Sequence, residues 1–398
     1  MRISTTNSYN TSLDSLMERQ ARLADTQLQM TTGKRVNQAS DDPAAAARAE
    51  RALAAERRSV ASQRAVDASD NAMRLTESAL GDAGQLLQTA REALVSAGNP
   101  TYSDKERLGV ANQLADLRAQ LLAVANRTDS AGLHLFGGQG AVQAPFADLP
   151  GGVQFQGAAG QTQAASADAL PLTMDGESSW MQARTGNGVF VASAVTSTGA
   201  AWIDSGSVTN PSALTGSTYS LQFSVAGATT TYSVLQNGAP TALTNMAYTA
   251  SKAIQFDGMS TTVRGQPANG DAFQLAPATS GLSVFDALDK AIAELKTPSR
   301  SGTQIAQSNV ENLSNIDQVM SQLAAGRSQV GATLNRVDAV SDRLSALKLA
   351  SQTERAQAED LDMTQAISEF SNQQTGYDAA LKAYSMVQRL SLFNYLNA

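Results

Sequence analysis

Apolar residues recur at alternating intervals of three and four residues near both ends of the chain. The N-terminal repeat consists of Leu13, Leu16, Gln20, Leu23, Gln27 and Met30. The C-terminal repeat consists of Met363, Ile367, Phe370, Gln374, Tyr377, Leu381, Tyr384 and Gln388. This spacing predicts two helices that each carry a narrow apolar stripe, as in coiled coils. Because a single helix in water cannot bury such a stripe, we expect both terminal segments to pack against partner helices.

Capping residues predict where the next helices begin and end. The first helix should end before Gly33, because glycine adopts the left-handed conformation of a helix C-cap without strain. A long second helix should begin after Asp42, with Asp42 as N-cap and Pro43 at the first helical position. A third should follow Ser103, which forms a capping box with Glu106.

The central part of the chain changes from a helical to a strand pattern. Residues 219–225 alternate apolar and polar side chains, and Gly227 can turn the chain into a second strand at 229–235. Helical periodicity returns at Val284 and continues in a long repeat from Leu313 to Leu344. The sequence therefore predicts strands inserted between helical regions.

Together these patterns predict an α+β multidomain fold in three parts. Residues 1–42 and 357–398 form terminal coiled-coil segments, residues 43–137 and 284–356 form an antiparallel α-helical rod domain, and residues 138–283 form an inserted β-rich domain. The entropy lost on ordering the terminal segments exceeds the free energy that their stripes can return by burial. We therefore expect these segments to be disordered in the monomer.

Composition narrows the possible functions. The formal net charge of −7 disfavours nucleic acid as a partner, because binding it requires many basic contacts to phosphates. The absence of cysteine excludes disulfides, thiolate metal sites and thiol catalysis. The sequence contains no run of about 18 apolar residues, so we expect no membrane-spanning helix, and the first residues lack the apolar segment of a cleavable signal peptide.

Candidate chemistry is sparse. Any histidine-based triad or metal site would have to use His134, the single histidine, which we interpret as structural. Asp41 and Asp42 could act as paired carboxylates, but capping already explains Asp42. The acidic residues of 359–362 would point to different faces of a helix, so a solvated helix start explains them better than a cation site. We therefore predict no enzyme activity, no cofactor and no metal site.

Two terminal motifs resemble those of one family. The motif Thr32-Gly33-Lys34-Arg35-Val36-Asn37 with Ser40-Asp41-Asp42-Pro43, and the closing Ser391-Leu392-Phe393-Asn394-Tyr395-Leu396, resemble the hook-associated protein 3 family of the bacterial flagellum, which belongs to the flagellin-like superfamily. Flagellins, the near relatives, more typically carry Asp-Asp-Ala-Ala-Gly where this chain has Asp42-Pro43-Ala44. Residues 141–282 match only in patches, so the resemblance leaves their shape open.

The resemblance implies a structural adaptor of the flagellum. Such a protein joins the hook, through hook-associated protein 1, to the flagellin filament as a ring of copies of itself. It is extracellular, is exported without a cleavable signal peptide, and has a flagellar export chaperone as a further partner. The terminal helices would be innermost and the β-rich domain outermost. The predicted assembly interface consists of Leu13, Leu16, Leu23, Met30, Ile367, Phe370, Tyr377, Leu381 and Tyr384. The alternative is a flagellin-type filament subunit.

Overall fold

The computed structural model describes residues 5–140 and 143–396. Its helices are α1 (Thr5–Thr32), α2 (Pro43–Ala97), α3 (Asp104–Ala125), α4 (Gly176–Trp180), α5 (Val284–Lys296), α6 (Gly302–Glu359) and α7 (Met363–Leu396). A short 3-10 helix spans Pro211–Ala213. The chain divides into two compact units. The first unit comprises Met1–Arg64 with Ser341–Ala398, and the second comprises Ala65–Val340.

The strands all lie in the second unit. They are β1 (Phe146–Leu149), β2 (Gly152–Phe155), β3 (Ala183–Arg184), β4 (Phe190–Thr196), β5 (Ala200–Ile203), β6 (Ser207–Val208), β7 (Tyr219–Ala226), β8 (Thr229–Gln236), β9 (Ala239–Pro240), β10 (Met246–Ala247), β11 (Ala253–Phe256), β12 (Met259–Gln266), β13 (Ala272–Pro277) and β14 (Ser280–Leu282). Long helices at both ends and inserted strands confirm the predicted α+β class.

The helix boundaries follow the capping residues. Helix α1 ends at Thr32, and Gly33 follows with φ of +70°. Helix α2 begins at Pro43. At the start of α3, Ser103 and Glu106 form the reciprocal capping box. These boundaries confirm the predictions. At the start of α3, the capping box satisfies backbone N–H groups that the helix itself leaves unpaired.

The helical core of the second unit is built from α2, α3, α5 and α6. Arg91 of α2 pairs with Asp317 of α6 at 2.6 Å, and Glu77 of α2 pairs with Arg327 of α6. Since the lower number in α2 pairs with the higher in α6, the two helices are antiparallel, as predicted. The leucines that are almost fully buried in this core include Leu80, Leu87, Leu94, Leu114 and Leu121.

A separate β core lies between two antiparallel sheets. The larger sheet has the order β10-β8-β7-β13-β4, with β9 also paired to β8, and the other has the order β11-β12-β5, with β6 paired to β12. The predicted hairpin is confirmed as β7 and β8, with Tyr219 opposite Gln236. Apolar residues of alternating positions fill the core, among them Leu221, Val234 and Phe273.

The first strands of the inserted region belong to the helical core. Phe146 of β1 and Trp180 of α4 pack with Phe285 of α5, and the Trp180 and Phe285 rings stack 6.1 Å apart. The hairpin of β1 and β2 is also held from outside by Arg118 of α3, whose Nη1 lies 2.7 Å from Asp148 Oδ2. The inserted residues thus contribute to two cores, and the predicted three-part domain division stays a prediction.

Candidate assembly surface

Helices α1 and α7 lie against each other within the first unit. Gly33 approaches Leu361, Thr26 approaches Gln373, and Arg19 approaches Gly376. Because residue numbers fall along α1 as they rise along α7, the pair is antiparallel. The most buried residues of this contact are Leu16, Thr26 and Ala366.

The residues of the predicted assembly interface divide into two groups. Leu16 is buried, and the half-buried residues are Leu13, Leu23, Met30, Phe370, Tyr377 and Tyr384. Ile367 and Leu381 are instead 54% and 40% exposed. The structure therefore brings the first group together between α1 and α7, whereas Ile367 and Leu381 lie outside that contact. Gln388 of the predicted stripe lies outside the described side chains.

The exposed apolar residues extend beyond those predicted. Met363 and Met386 of α7 are 45% and 60% exposed, and Met17 and Leu28 of α1 are 56% and 47% exposed. We call these four residues, with Ile367 and Leu381, the outer apolar set. Several large apolar residues exposed on neighbouring elements are typical of a surface that is covered by another protein. Met17, Leu28 and Met386 were missed because they fall off the simple repeat.

Four further residues of the inner face of α7 were also missed, because they are small or polar. Ala366, Gln373, Gly376 and Ala380 are buried or half-buried on the side that meets α1. With Phe370, Tyr377 and Tyr384 they recur every three or four residues, so the helical period itself could have identified them.

The connectors between these helices and the long ones are tied together. The Leu361 amide donates to the Gly33 carbonyl at 3.0 Å, and the Arg35 amide donates to the Glu359 carbonyl at 2.7 Å. Lys34 Nζ lies 3.2 Å from the Glu359 carboxylate, which Arg355 also contacts. The family motif around Gly33 therefore forms contacts that hold α1 beside the start of α7.

The acidic residues of the connectors have structural roles. Asp42 Oδ1 accepts hydrogen bonds from the amides of Ala44 and Ala45, and the Ala45 bond and Arg35 hold the pKa of Asp42 below its usual range. Asp362 caps α7, as expected for a helix start. The expectation of a solvated helix start is wrong for Glu359, because that residue ends α6 and is ion-paired.

The remaining candidate chemistry is explained structurally. His134 Nδ1 lies 3.1 Å from the carbonyl oxygen of Asn126, beside a β-bridge between Thr128 and His134. Over the described part of the chain, no group of three or more histidine, aspartate or glutamate side chains could hold a metal ion. No helix within the same residues has the length and apolarity needed to cross a bilayer.

Comparison with known proteins relates the chain to the flagellum. Residues 3–141 match the bacterial flagellin N-terminal helical region, and residues 313–396 match the bacterial flagellin C-terminal helical region. Flagellar hook-associated protein 3 of Escherichia coli is 26% identical over 398 residues, 99% of each chain. The protein of that name from Salmonella typhimurium is 37% identical over 152 residues, which are 38% of this chain and 48% of the relative.

A solved structure decides the family. The flagellar junction protein FlgL from Legionella pneumophila is 30% identical, with a TM-score of 0.64, and the match covers 70% of this chain and 95% of that one. The chain belongs to the hook-associated protein 3 family. Members of this family are structural proteins of the bacterial flagellum, so the resemblance stated from the two terminal motifs is confirmed.

Proposed function

We propose that this chain is the adaptor that joins the flagellar hook to the filament. It binds hook-associated protein 1 on one side and flagellin on the other, as a ring of copies of itself. The names of its relatives, hook-associated protein 3 and flagellar junction protein, support this role. The outer apolar set carries the proposal, because these residues are exposed in a single chain and would be buried between subunits.

The two groups of terminal residues have different roles in this proposal. Leu16 and the half-buried residues Leu23, Phe370 and Tyr377 hold α1 against α7 within one subunit. The outer apolar set then contacts neighbouring subunits. Charged residues are only 16% of the chain, so side-by-side packing of copies brings few like charges together.

Export is part of the same proposal. The protein leaves the cell through the flagellar export apparatus without losing a signal peptide, and a flagellar export chaperone covers its apolar segments beforehand. It acts outside the cell, without a cofactor and without catalysing a reaction. The N-terminal sequence of protein recovered from isolated flagella tests the route, and an N-terminus trimmed by a signal peptidase would contradict it.

The experiment is deletion of the gene followed by complementation. Loss of the protein should give hooks without filaments and flagellin monomer in the medium, as seen by electron microscopy and immunoblotting. Complementation with the unchanged gene should restore filaments. Hooks that still carry filaments after deletion would contradict the junction role.

The variant Leu381→Asp tests the assembly surface itself. Leu381 is 40% exposed, so an aspartate should leave the folded chain intact in solution, but it places an unpaired charge in the subunit contact. We expect normal secretion and helical content with loss of incorporation and of filaments. Asn372→Asp, which introduces the same charge at an exposed position of α7 with no member of the outer apolar set three or four residues away, is the matched control and should support filaments. Full motility of Leu381→Asp cells would refute this assignment.

The alternative of a flagellin-type filament subunit rests on the two flagellin regions that match the chain. The two functions differ in what the purified protein does alone. A filament subunit should polymerise into long filaments without flagellin, whereas a junction adaptor should form no more than short assemblies. Electron microscopy of the concentrated protein separates them.

A further inference from the structure

A polar pair, the buried Thr26 and the half-buried Gln373, lies within the contact between α1 and α7. Thr26 is only 7% exposed, and its Oγ1 lies 3.0 Å from Gln373 Oε1. The same hydroxyl lies 3.0 Å from the carbonyl oxygen of Arg22. The Gln373 amide nitrogen donates to Glu369 at 3.3 Å. The pair therefore connects the two helices through side chains that are anchored on their own helices.

The residues around this pair allow α7 to lie along α1 in more than one alignment. Sliding α7 by seven residues would bring Ala366 or Ala380 opposite Thr26 in place of Gln373. The inner face of α7 also includes Gly376, and small residues of this kind allow similar approach of α1 in several alignments. The slip would, however, break the contact between Thr26 Oγ1 and Gln373 Oε1, which costs free energy because the Thr26 hydroxyl lies away from water. One polar residue in a helix seam is known to select register in this way.

We propose that Thr26 and Gln373 fix the register of α1 against α7. This inference goes beyond the proposed function, because it concerns the pairing of two helices within one chain. The register determines which residues of the outer apolar set lie side by side, and thus the surface that a neighbour meets. The competing explanation is that the connector contacts at Gly33 and Leu361 fix the register alone.

The register can be measured as a distance. The chain has no cysteine, so Ala24→Cys on α1 and Ala379→Cys on α7, both at exposed positions, provide the two attachment sites for spin labels. Pulsed electron paramagnetic resonance is recorded on the full-length protein in sodium sulfate, which favours burial of apolar surface without a partner protein. The labelled parent should give a single distance.

The test variant is Thr26→Val combined with Gln373→Leu, which keeps the contact apolar and removes the polar pair. A slip of seven residues displaces one label by about 10 Å along the helix axis. We therefore expect a second distance between the two labels, which differs from the parental distance by up to that amount. The ratio of native to slipped populations should be at least about tenfold lower than in the parent. Thr26→Ser, which keeps the hydroxyl group, should give the parental distance.

Three results would overturn the proposal. A single unchanged distance in the double variant would assign the register to the connectors. Loss of any defined distance in the double variant would assign the pair to stability and not to register. A parent without a defined distance would show that no register exists to be fixed. None of these results depends on flagellar assembly, so failure of the deletion experiment would leave this measurement unaffected.

Discussion

Asp271 shows how one buried carboxylate can organise several loops. The residue is fully buried, and its oxygens accept hydrogen bonds from the amides of Thr198, Gly199 and Ala268 and from the Thr198 hydroxyl, at 2.7 to 3.2 Å. Burial by itself raises the pKa of Asp271, but these hydrogen bonds to the charged form outweigh it and leave the pKa below its usual range. The loop between β4 and β5 therefore depends on an ionised Asp271.

Replacing Asp271 should destabilise the β core. Asp271→Asn places an amide nitrogen opposite backbone N–H groups, and we expect a loss of about 2 to 3 kcal/mol in the free energy of unfolding. Urea unfolding of the full chain, followed by tryptophan fluorescence, measures it. Asp82→Asn, at a surface ion pair whose aspartate is 46% exposed, is the control and should change stability by less than about 0.5 kcal/mol. Equal urea midpoints for Asp271→Asn and Asp82→Asn would contradict a stabilising role of Asp271 in the β core.

The pH dependence follows from the same carboxylate. Because folding lowers the pKa of Asp271, its contribution is present above the pKa of the unfolded chain, about 3.9, and is lost as the pH falls through the lower folded value. We expect the melting temperature of the parent to fall below about pH 4, and to fall less in Asp271→Asn. Scanning calorimetry between pH 3 and 7 measures both melting temperatures. If they fall in parallel with pH in the parent and in Asp271→Asn, Asp271 is excluded as the cause.

At the scale of elements, the capping residues determine where helices begin. Ser103→Ala removes the side chain that accepts from the Glu106 amide and deprives the Glu106 carboxylate of its hydroxyl partner. We expect the free energy of unfolding to fall by about 1 kcal/mol and amide hydrogen exchange in the first turn of α3 to become faster. Gln113→Ala, at an exposed position in the middle of the same helix, should leave the exchange of that turn unchanged. A first turn that exchanges at the parental rate would show that the cap is dispensable.

The same local signals explain what could be predicted from the sequence. Gly33, Asp42 and Ser103 gave helix ends because capping acts over a few residues, and the β7–β8 hairpin followed from alternation around Gly227. Packing across distant segments was not predictable in this way. The union of β1 and α4 with the helical core depends on aromatic contacts such as Trp180 with Phe285, which join residues far apart in the chain. The division of the α7 stripe into Tyr377, which meets α1, and Leu381, which does not, likewise depends on where α1 lies.

At the scale of the whole molecule, stability should be uneven along the chain. The second unit has two extended cores of buried apolar residues. The contact between α1 and α7 buries only a few residues, among them Leu16 and Ala366, and leaves the outer apolar set exposed. Local opening is easiest where few apolar contacts oppose it. The terminal helices should therefore open first, and their disorder in the monomer stays a prediction.

Limited proteolysis of the dilute protein tests this difference. Trypsin should cut first at basic residues of the terminal helices, such as Arg19 on α1 and Lys382 on α7, which are exposed. Basic residues such as Arg91 and Arg118, which lie on helices of the second unit, should be cut more slowly by at least about tenfold, because cleavage there requires the larger unit to open. Mass spectrometry of the early fragments identifies the sites.

Protection of Arg19 and Lys382 from trypsin should rise in sodium sulfate, where burial of apolar surface is strengthened. It should also rise in isolated flagella, where neighbouring subunits cover the outer apolar set. Equal cleavage rates in the two units of the dilute monomer would show that α1 and α7 need no neighbour to be stable.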